Sequence, residues 1–244
     1  MRLLLDAGNT RMKWRLEREG LIIHEGWSAL DTDAPFAGIE GYLGSVSRVG
    51  VSTVVHEDMR LRLLSYLDGK VAGPVHFYWA EDRRSGLQNS YMNVRTMGAD
   101  RWHGMYGAWK HYKCGCAVID AGSAITVDYV DHTGQHVGGY ILPGLKMMLK
   151  SLKNDAARIA FEAGEVSGTE PGISTAECVN QGLSWLSRAM IERVRKDVLE
   201  LNLSQTVLTG GDAERLLALG MTAAHHPALV LDGLGYIDDE VCEG

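Results

Sequence analysis

Strand-like and helix-like periods follow one another along this chain in an order that is written twice. Leu3-Leu4-Leu5-Asp6-Ala7-Gly8 reads as a buried strand ending in an acid and a glycine, and Met12, Trp14 and Leu16 then alternate with Arg11, Lys13 and Arg15 as a second strand. Residues 21–27 supply a third, so the chain opens as an antiparallel meander. Residues 35–43 predict a short helix and 48–55 a buried strand. Residues 57–67 predict a helix on Met59, Leu61, Leu63, Leu64 and Leu67, and 75–79 the strand after it.

The second half repeats the order. Residues 117–122 form a buried strand, and 125–130 follow with Ile125, Val127 and Tyr129 alternating against Thr126, Asp128 and Val130. Residues 136–142 are a third strand that stops at Pro143-Gly144. A helix over 145–153 precedes a polar, Gly-rich stretch, 160–174. Ser174 then caps a long amphipathic helix over 175–201, with Glu177 three residues on. Residues 206–209 are a strand running into Gly210-Gly211, Asp212 opens another helix, and Ala228-Leu229-Val230-Leu231 reads as the last strand. Each half therefore predicts βββαβαβ, and two domains are expected, 1–113 and 114–244.

Between the halves, Gly98-Ala99-Asp100-Arg101-Trp102 opens a helix whose core face carries Trp102, Met105, Tyr106 and Trp109. Asp100 and Arg101 fall in its first turn, where backbone N–H groups lack partners and an anion is welcome. Spacing alone leaves Asp100 open between a helix-start acid and a working carboxylate. The polar segment before it, 86–97, holds Tyr91 and is a candidate substrate loop.

The two hairpin tips carry the chemistry. Asp-Ala-Gly recurs at 6–8 and 120–122, each time between a buried strand and an alternating one. One Asp-x-Gly is an ordinary turn; two in the same context are not. Glycine removes the Cβ so that backbone N–H groups can approach a phosphate, hydroxyl and amide side chains add donors, and the acid holds a cation or its water. Two such hairpins facing each other could grip a polyphosphate.

At 244 residues the chain suits one large fold or two domains of about 120, and the repeat favours two. A net charge of −7 argues against nucleic acid as a main partner. The chain opens directly on a strand, without signal-peptide architecture, and no run reaches the ~20 apolar residues of a membrane span, so a cytoplasmic protein is expected. Cys114, Cys116, Cys178 and Cys242 make neither a disulfide framework nor a zinc spacing and are expected to be reduced and structural. His225-His226, before Pro227, reads as a solvated loop, and no metal-ligand cluster stands out.

The doubled βββαβα unit with Asp-Gly hairpins resembles the superfamily of acetate and sugar kinases, Hsp70 and actin. Within it the chain looks like a type III pantothenate kinase, the family that includes the Bvg accessory factor proteins. The resemblance runs over essentially the whole chain. It rests on Asp6-Ala7-Gly8-Asn9-Thr10 with Lys13, on Tyr91 followed by Gly98-Ala99-Asp100-Arg101, and on Asp120-Ala121-Gly122-Ser123-Ala124-Ile125-Thr126. It continues with 138–144, Ser174-Thr175 and Gly210-Gly211-Asp212.

The resemblance implies an α/β fold of two ribonuclease H-like halves, each a mixed five-stranded sheet flanked by helices, with ATP between them. It implies phosphorylation of pantothenate to 4'-phosphopantothenate, the first step of coenzyme A biosynthesis. ATP is assigned to Asp6, Ala7, Gly8, Asn9, Thr10, Arg11, Met12, Lys13 and Ser123. Pantothenate is assigned to Tyr91, Gly98, Ala99, Asp100, Arg101 and Thr175, with Asp100 as general base. Asp6 is expected to face Mg2+, directly or through water, and Asp120 a monovalent cation, K+ or NH4+, whose requirement stays open. Gly210-Gly211 would let backbone lie close to an adenine.

The residue types agree with the reaction, since phosphoryl transfer needs positioning, charge neutralisation and a carboxylate to take the hydroxyl proton. Ser123 departs from the family's usual threonine and keeps the hydroxyl. A regulatory protein of this fold without turnover, or a kinase for another small hydroxy acid, are the alternatives. Four charged groups at turn tips, Asp6, Asp100, Arg101 and Asp120, argue against the first. A homodimer is expected from the resemblance and from Leu183, Leu186, Met190, Ile191 and Val194 on the long helix, more than one face need bury.

Overall fold

The computed structural model describes residues 1–29, 32–155 and 168–242. Most of the polar stretch expected over 160–174 therefore lies outside the described residues. The chain divides into two compact units, Met1–Tyr112 with Ala228–Gly244, and Lys113–Pro227.

The first unit opens with β1 (Arg2–Ala7), β2 (Arg11–Arg18) and β3 (Leu21–Ala29), followed by α1 (Glu40–Leu43), β4 (Arg48–Thr53), α2 (Glu57–Leu67) and β5 (Val75–Tyr78). The strand order is β3-β2-β1-β4-β5. The meander is antiparallel and β1, β4 and β5 are parallel. A small hairpin of β6 (Arg83–Arg84) and β7 (Leu87–Gln88) and a 3-10 turn at Val94–Thr96 lead into α3 (Ala99–Tyr112).

In the second unit β8 (Cys116–Ala121), β9 (Ala124–Val130) and β10 (His136–Pro143) repeat the meander. They are followed by α4 (Leu145–Asp155), α5 (Thr175–Glu200), β11 (Gln205–Thr209), α6 (Ala213–Ala218) and β12 (Ala224–His225). The order β10-β9-β8-β11-β12 repeats the first sheet's. Two five-stranded mixed sheets of one topology are what the repeated pattern predicts.

Alternation explains one face of the first sheet. Leu3, Leu5 and Ala7 join Met12, Trp14, Leu16, Val49 and Val51 against Phe36, Ile39, Leu43 and Leu67. Leu4 is equally buried, because the last helix, α7 (Leu229–Cys242), covers the opposite face, where a Cβ on Gly235 would stand 3.2 Å from Leu4 Cδ1. α7 also crosses α3 at glycines. A Cβ on Gly233 would lie 1.9 Å from the His103 carbonyl oxygen, and one on Gly107 would lie 2.7 Å from that of Leu229. The second unit's core joins Ile119, Ile125, Val127 and Tyr129 to Ile191, Val194, Leu208 and Leu216.

α7 overturns two sequence expectations. Residues 228–231 begin a helix, not a strand, and the last strand is β12, which pairs in parallel with β11 and takes His225 out of the expected loop. A short apolar run does not distinguish a buried strand from a buried helix, and the spacing of Val230, Leu234 and Ile237 favours the helix. The residues from 228 onward also pack with the first unit rather than the second, where the expected boundaries had left them.

Charge fixes α7 there. Asp238, with no exposed surface, meets Arg2 at 3.1 Å, Arg48 at 2.9 Å and the Tyr78 hydroxyl at 2.9 Å. Asp232 meets Arg15 at 2.7 Å. Arg15 is consequently buried on the face of β2 opposite Met12, Trp14 and Leu16, and Glu17 is buried beside it.

On α5, Leu183, Ile191 and Val194 are buried and Met190 packs on the core, so that stripe is largely consumed within its own unit; Trp185 and Leu186 stay exposed. The four cysteines are free, but only Cys116 is buried, and Cys178 and Cys242 are exposed. No helix among the described residues is long and apolar enough to cross a membrane.

Candidate active site

In the first unit the candidate side chains gather at the carboxyl ends of parallel strands, the usual ligand edge of an open α/β sheet. β1 ends on Asp6-Ala7, and the chain reverses through Gly8, whose N–H donates to the Arg11 carbonyl at 3.0 Å. Asp6 then pairs with Lys13 across the hairpin and with Ser52 across the parallel ladder. Asn9, Thr10 and Arg11 are exposed at the tip, and the Arg11 guanidinium lies 4.5 Å from the Trp27 ring centroid. Ala7 and Met12 belong to the core cluster and are almost fully buried.

β4 is tied to the same edge. The Ala7 carbonyl accepts from Val54 N–H at 3.3 Å and from Thr53 Oγ1 at 3.4 Å. Against this edge sits the start of α3. The Gly98 carbonyl accepts from Trp102 N–H at 3.2 Å, and a Cβ on Gly98 would fall 2.5 Å from Asp100 Oδ1 and 3.4 Å from Val54 Cγ1. Glycine leaves room there for the Asp100 carboxylate, which folds back over it. Asp100 Oδ1 accepts from the Arg101 N–H at 2.8 Å, so the acid does serve the helix start, and it stays partly accessible.

Arg101 is buried and donates to the Tyr91 hydroxyl at 2.6 Å, with its guanidinium 5.5 Å from that ring's centroid. Tyr91 is in turn held by its own N–H, which donates to Asn89 Oδ1 at 3.0 Å. Tyr91, Gly98, Asp100 and Arg101 thus form one cluster. A residue that the motif reading missed stands behind it: His103, fully buried, with Nδ1 at 2.7 Å from Ser52 Oγ. Burial, with the positive charge of Arg84 adding to it, pushes the His103 imidazole down to about 3, so the ring is neutral. Its only sequence signal is a histidine inside a helix whose other neighbours read as core.

The second unit builds a similar tip. Asp120 pairs with Thr126 on β9 and Thr209 on β11, and Gly122 N–H closes the turn on the Ala124 carbonyl at 2.9 Å. Two glycines crowd this tip. Gly210 has φ +97°, and a Cβ on it would lie 2.5 Å from Asp120 Oδ1 and 2.4 Å from the Ala121 carbonyl oxygen. Gly144 donates its N–H to the Ser123 carbonyl at 3.0 Å, and its Cβ would lie 2.4 Å from that oxygen. Ser123 is exposed, and the Ala121 carbonyl also accepts from Asp212 N–H at 2.8 Å. The tip is walled largely by backbone and carries the Asp120 carboxylate and the Ser123 hydroxyl.

Thr175 is the first residue of α5. Ser174 caps this helix through Glu177 N–H at 3.3 Å, and Glu177 Oε2 reaches back to Ile173 N–H at 2.8 Å. Thr175 is exposed on a groove shared with Leu152, Ile173, Cys178 and Leu183. Gly138, with φ +132°, marks a bulge in β10.

Among the described residues no group of three or more His, Cys, Asp or Glu could hold a metal ion by itself. Single carboxylates beside backbone-lined turns suit a hard cation that arrives with phosphate and keeps much of its water.

The family profile described as type III pantothenate kinase matches residues 2–197. The type III pantothenate kinase of Marinobacter nauticus is 52% identical over 96% of both chains. A solved structure from Campylobacter jejuni, described as a Baf family transcriptional activator, superposes with TM-score 0.61 at 18% identity, covering 99% of this chain and 100% of the other. A Sinorhizobium meliloti structure described as a 2-dehydro-3-deoxygalactonokinase gives 0.56 at 13% identity, covering 99% of each. These two likenesses establish the fold, the duplicated ribonuclease H-like architecture of sugar kinases and actin.

Proposed function

Because this chain belongs to the type III pantothenate kinase family, we infer that it transfers the terminal phosphoryl group of ATP to pantothenate, yielding 4'-phosphopantothenate for coenzyme A biosynthesis. The observation that carries the reading is the near full-length 52% identity to a kinase of that description. The carboxylate–guanidinium–phenol cluster at the start of α3 supports it.

The hydroxyl oxygen of pantothenate attacks the terminal phosphorus, the bond from phosphorus to the β–γ bridging oxygen breaks, and ADP leaves. Asp100, partly accessible beside Gly98, takes the hydroxyl proton. Arg101, ordered by Tyr91, supplies a fixed positive charge for the substrate carboxylate or the moving phosphoryl. In the first unit the Gly8–Arg11 turn and Lys13 contact the phosphates through backbone N–H groups and an ammonium, and Asp6 would hold the divalent ion that accompanies ATP, directly or through water. That ion, when bound, neutralises charge on the phosphates. In the second unit Ser123 contacts the nucleotide, Thr175 contacts pantothenate, and the backbone at Gly210 approaches the adenine. Asp120, with the Ala121 carbonyl beside it, would hold a monovalent cation, K+ or NH4+, where the enzyme takes one.

Asp100→Asn tests the assignment. Asparagine keeps the size and cannot take the proton, so kcat should fall about 10²-fold or more with ATP and pantothenate still bound and the melting temperature held. Turnover near wild type would refute the base. We further infer a cytoplasmic homodimer, supported by the exposed Trp185, Leu186, Tyr140 and Ile141 on α5 and β10. Sedimentation showing only monomer at micromolar concentration would reject it.

A further inference from the structure

We propose that His103 is a positioning residue for this reaction: its hydrogen bond to Ser52 ties the first turns of α3 to the carboxyl end of β4 and so sets where Asp100 stands. The inference rests on Asp100 as the base and adds the element that holds it.

A fully buried histidine in a helix packed on a sheet is costly unless its polar atoms are used, and a leucine would fill comparable space without that cost. Here Nδ1 lies 2.7 Å from Ser52 Oγ, and both residues have no exposed surface. Nε2 has no hydrogen-bond partner among the described residues. The neutral ring carries one N–H, and a buried bare acceptor is better tolerated than a buried orphan N–H. Nδ1 therefore carries the hydrogen and donates to Ser52, which leaves the Ser52 hydroxyl proton for a second bond.

What the bond joins gives it its role. Ser52 stands directly across the parallel ladder from Asp6, and Thr53 and Val54 bind the Ala7 carbonyl that follows Asp6. His103 is three residues after Asp100, on the same helix face and within one 5.4 Å turn. The helix start is lodged beside Val54 through Gly98, and further along, the glycine crossing with α7 at Gly107 holds it. The glycine contacts are steric, and the hydrogen bonds that Tyr106 and Lys110 donate to Glu240 tie α3 to α7 rather than to β4. A hydrogen bond has direction, and the one between His103 and Ser52 joins α3 to β4 directly and so sets the register of the helix on that strand.

The test uses the full chain with three variants, His103→Leu, Ser52→Ala and His103→Asn, each measured for kcat, both KM values and melting temperature. The first two should each lower kcat about tenfold with both KM values within about twofold, since a displacement well under 1 Å at the base costs less than the 10²-fold of a full ångström. The double variant should be no worse than the poorer single one. His103→Asn, whose amide N–H lies near the Nδ1 position, should recover most of the loss. A lowered melting temperature with wild-type kcat per folded enzyme in Ser52→Ala, or additive losses in the double variant, would overturn the proposal. Should His103→Leu fail to fold, the milder Ser52→Ala and His103→Asn decide it. Asp100→Asn assayed alongside separates the two levels. If it is inactive while the strut variants match wild type, only the positioning role falls; if it is active, the base assignment falls and takes this inference with it.

Discussion

Adding one methyl group at Gly98 should disable this enzyme while leaving it folded. A Cβ at that position would lie 2.5 Å from Asp100 Oδ1, against the 3.4 Å of an ordinary contact, so the carboxylate oxygen must retreat by roughly 0.9 Å. The nearest alternative contact, Val54 Cγ1 at 3.4 Å, needs no adjustment. The 2.8 Å hydrogen bond from Arg101 N–H is the restraint that retreat would break. A misplacement of about 1 Å at a reacting group can cost 10²-fold, equivalent to about 2.7 kcal/mol of barrier. Stability should change little. Gly98 has no left-handed φ, and the weaker helix start with alanine is offset by about 0.4–1 kcal/mol of reduced unfolded-state freedom. Gly98→Ala should therefore show kcat down about 10²-fold in an ADP-release assay at saturating substrates, with a melting temperature within a few degrees of wild type. Combined with Asp100→Asn it should cost almost nothing more. A Gly98→Ala enzyme with kcat within threefold of wild type (about 0.6 kcal/mol) would show that the observed place of the carboxylate is not what turnover needs.

Asp238→Ala should destabilise the first unit by about 3 kcal/mol, the lower end for breaking a buried pair, because Arg2 and Arg48 keep Glu17 and Asp239; a loss below about 1 kcal/mol by urea titration would contradict the anchoring of α7. Burial alone would raise the Glu240 carboxyl, but hydrogen bonds from Tyr106, Lys110, Arg84 and Ser85 outweigh it and hold it at about 2, down from 4.5. Its stabilisation is thus complete above pH 4.5 and lost as the pH falls toward 2, and solvent screening brings it to about 1–2 kcal/mol. Glu240→Gln should be less stable at neutral pH and show a flatter acid limb, and an unchanged limb in pH-dependent melting would exclude this contribution. Ser123→Ala should raise the KM for ATP about fivefold, one hydrogen bond's worth, with kcat nearly constant; the reverse split would move Ser123 to the reacting phosphoryl.

Local chemistry alone determined a large part of this protein. The two meanders, the glycine-lined tips after Asp6 and Asp120, the Ser174 cap and the core face of α3 were legible because alternation, turn residues and capping act over a few residues. So was the duplication, since one strand order follows from one repeated pattern. Tertiary structure decided what distant partners impose. Residues 228–231 hold too short an apolar run to reveal a helical period, and their helix exists where it does because Asp232 and Asp238 meet arginines more than 180 positions earlier. The same helix buries Arg15, which alternation had set on the polar face. Gly98 was legible as part of a motif, yet the carboxylate folded over it appears only in the packed chain. His103 and Ser52 lie 51 positions apart on a helix and a strand, and no local propensity links them. Short-range preferences select elements and turn tips; only packing one layer on another determines which polar groups lose their water and must find each other.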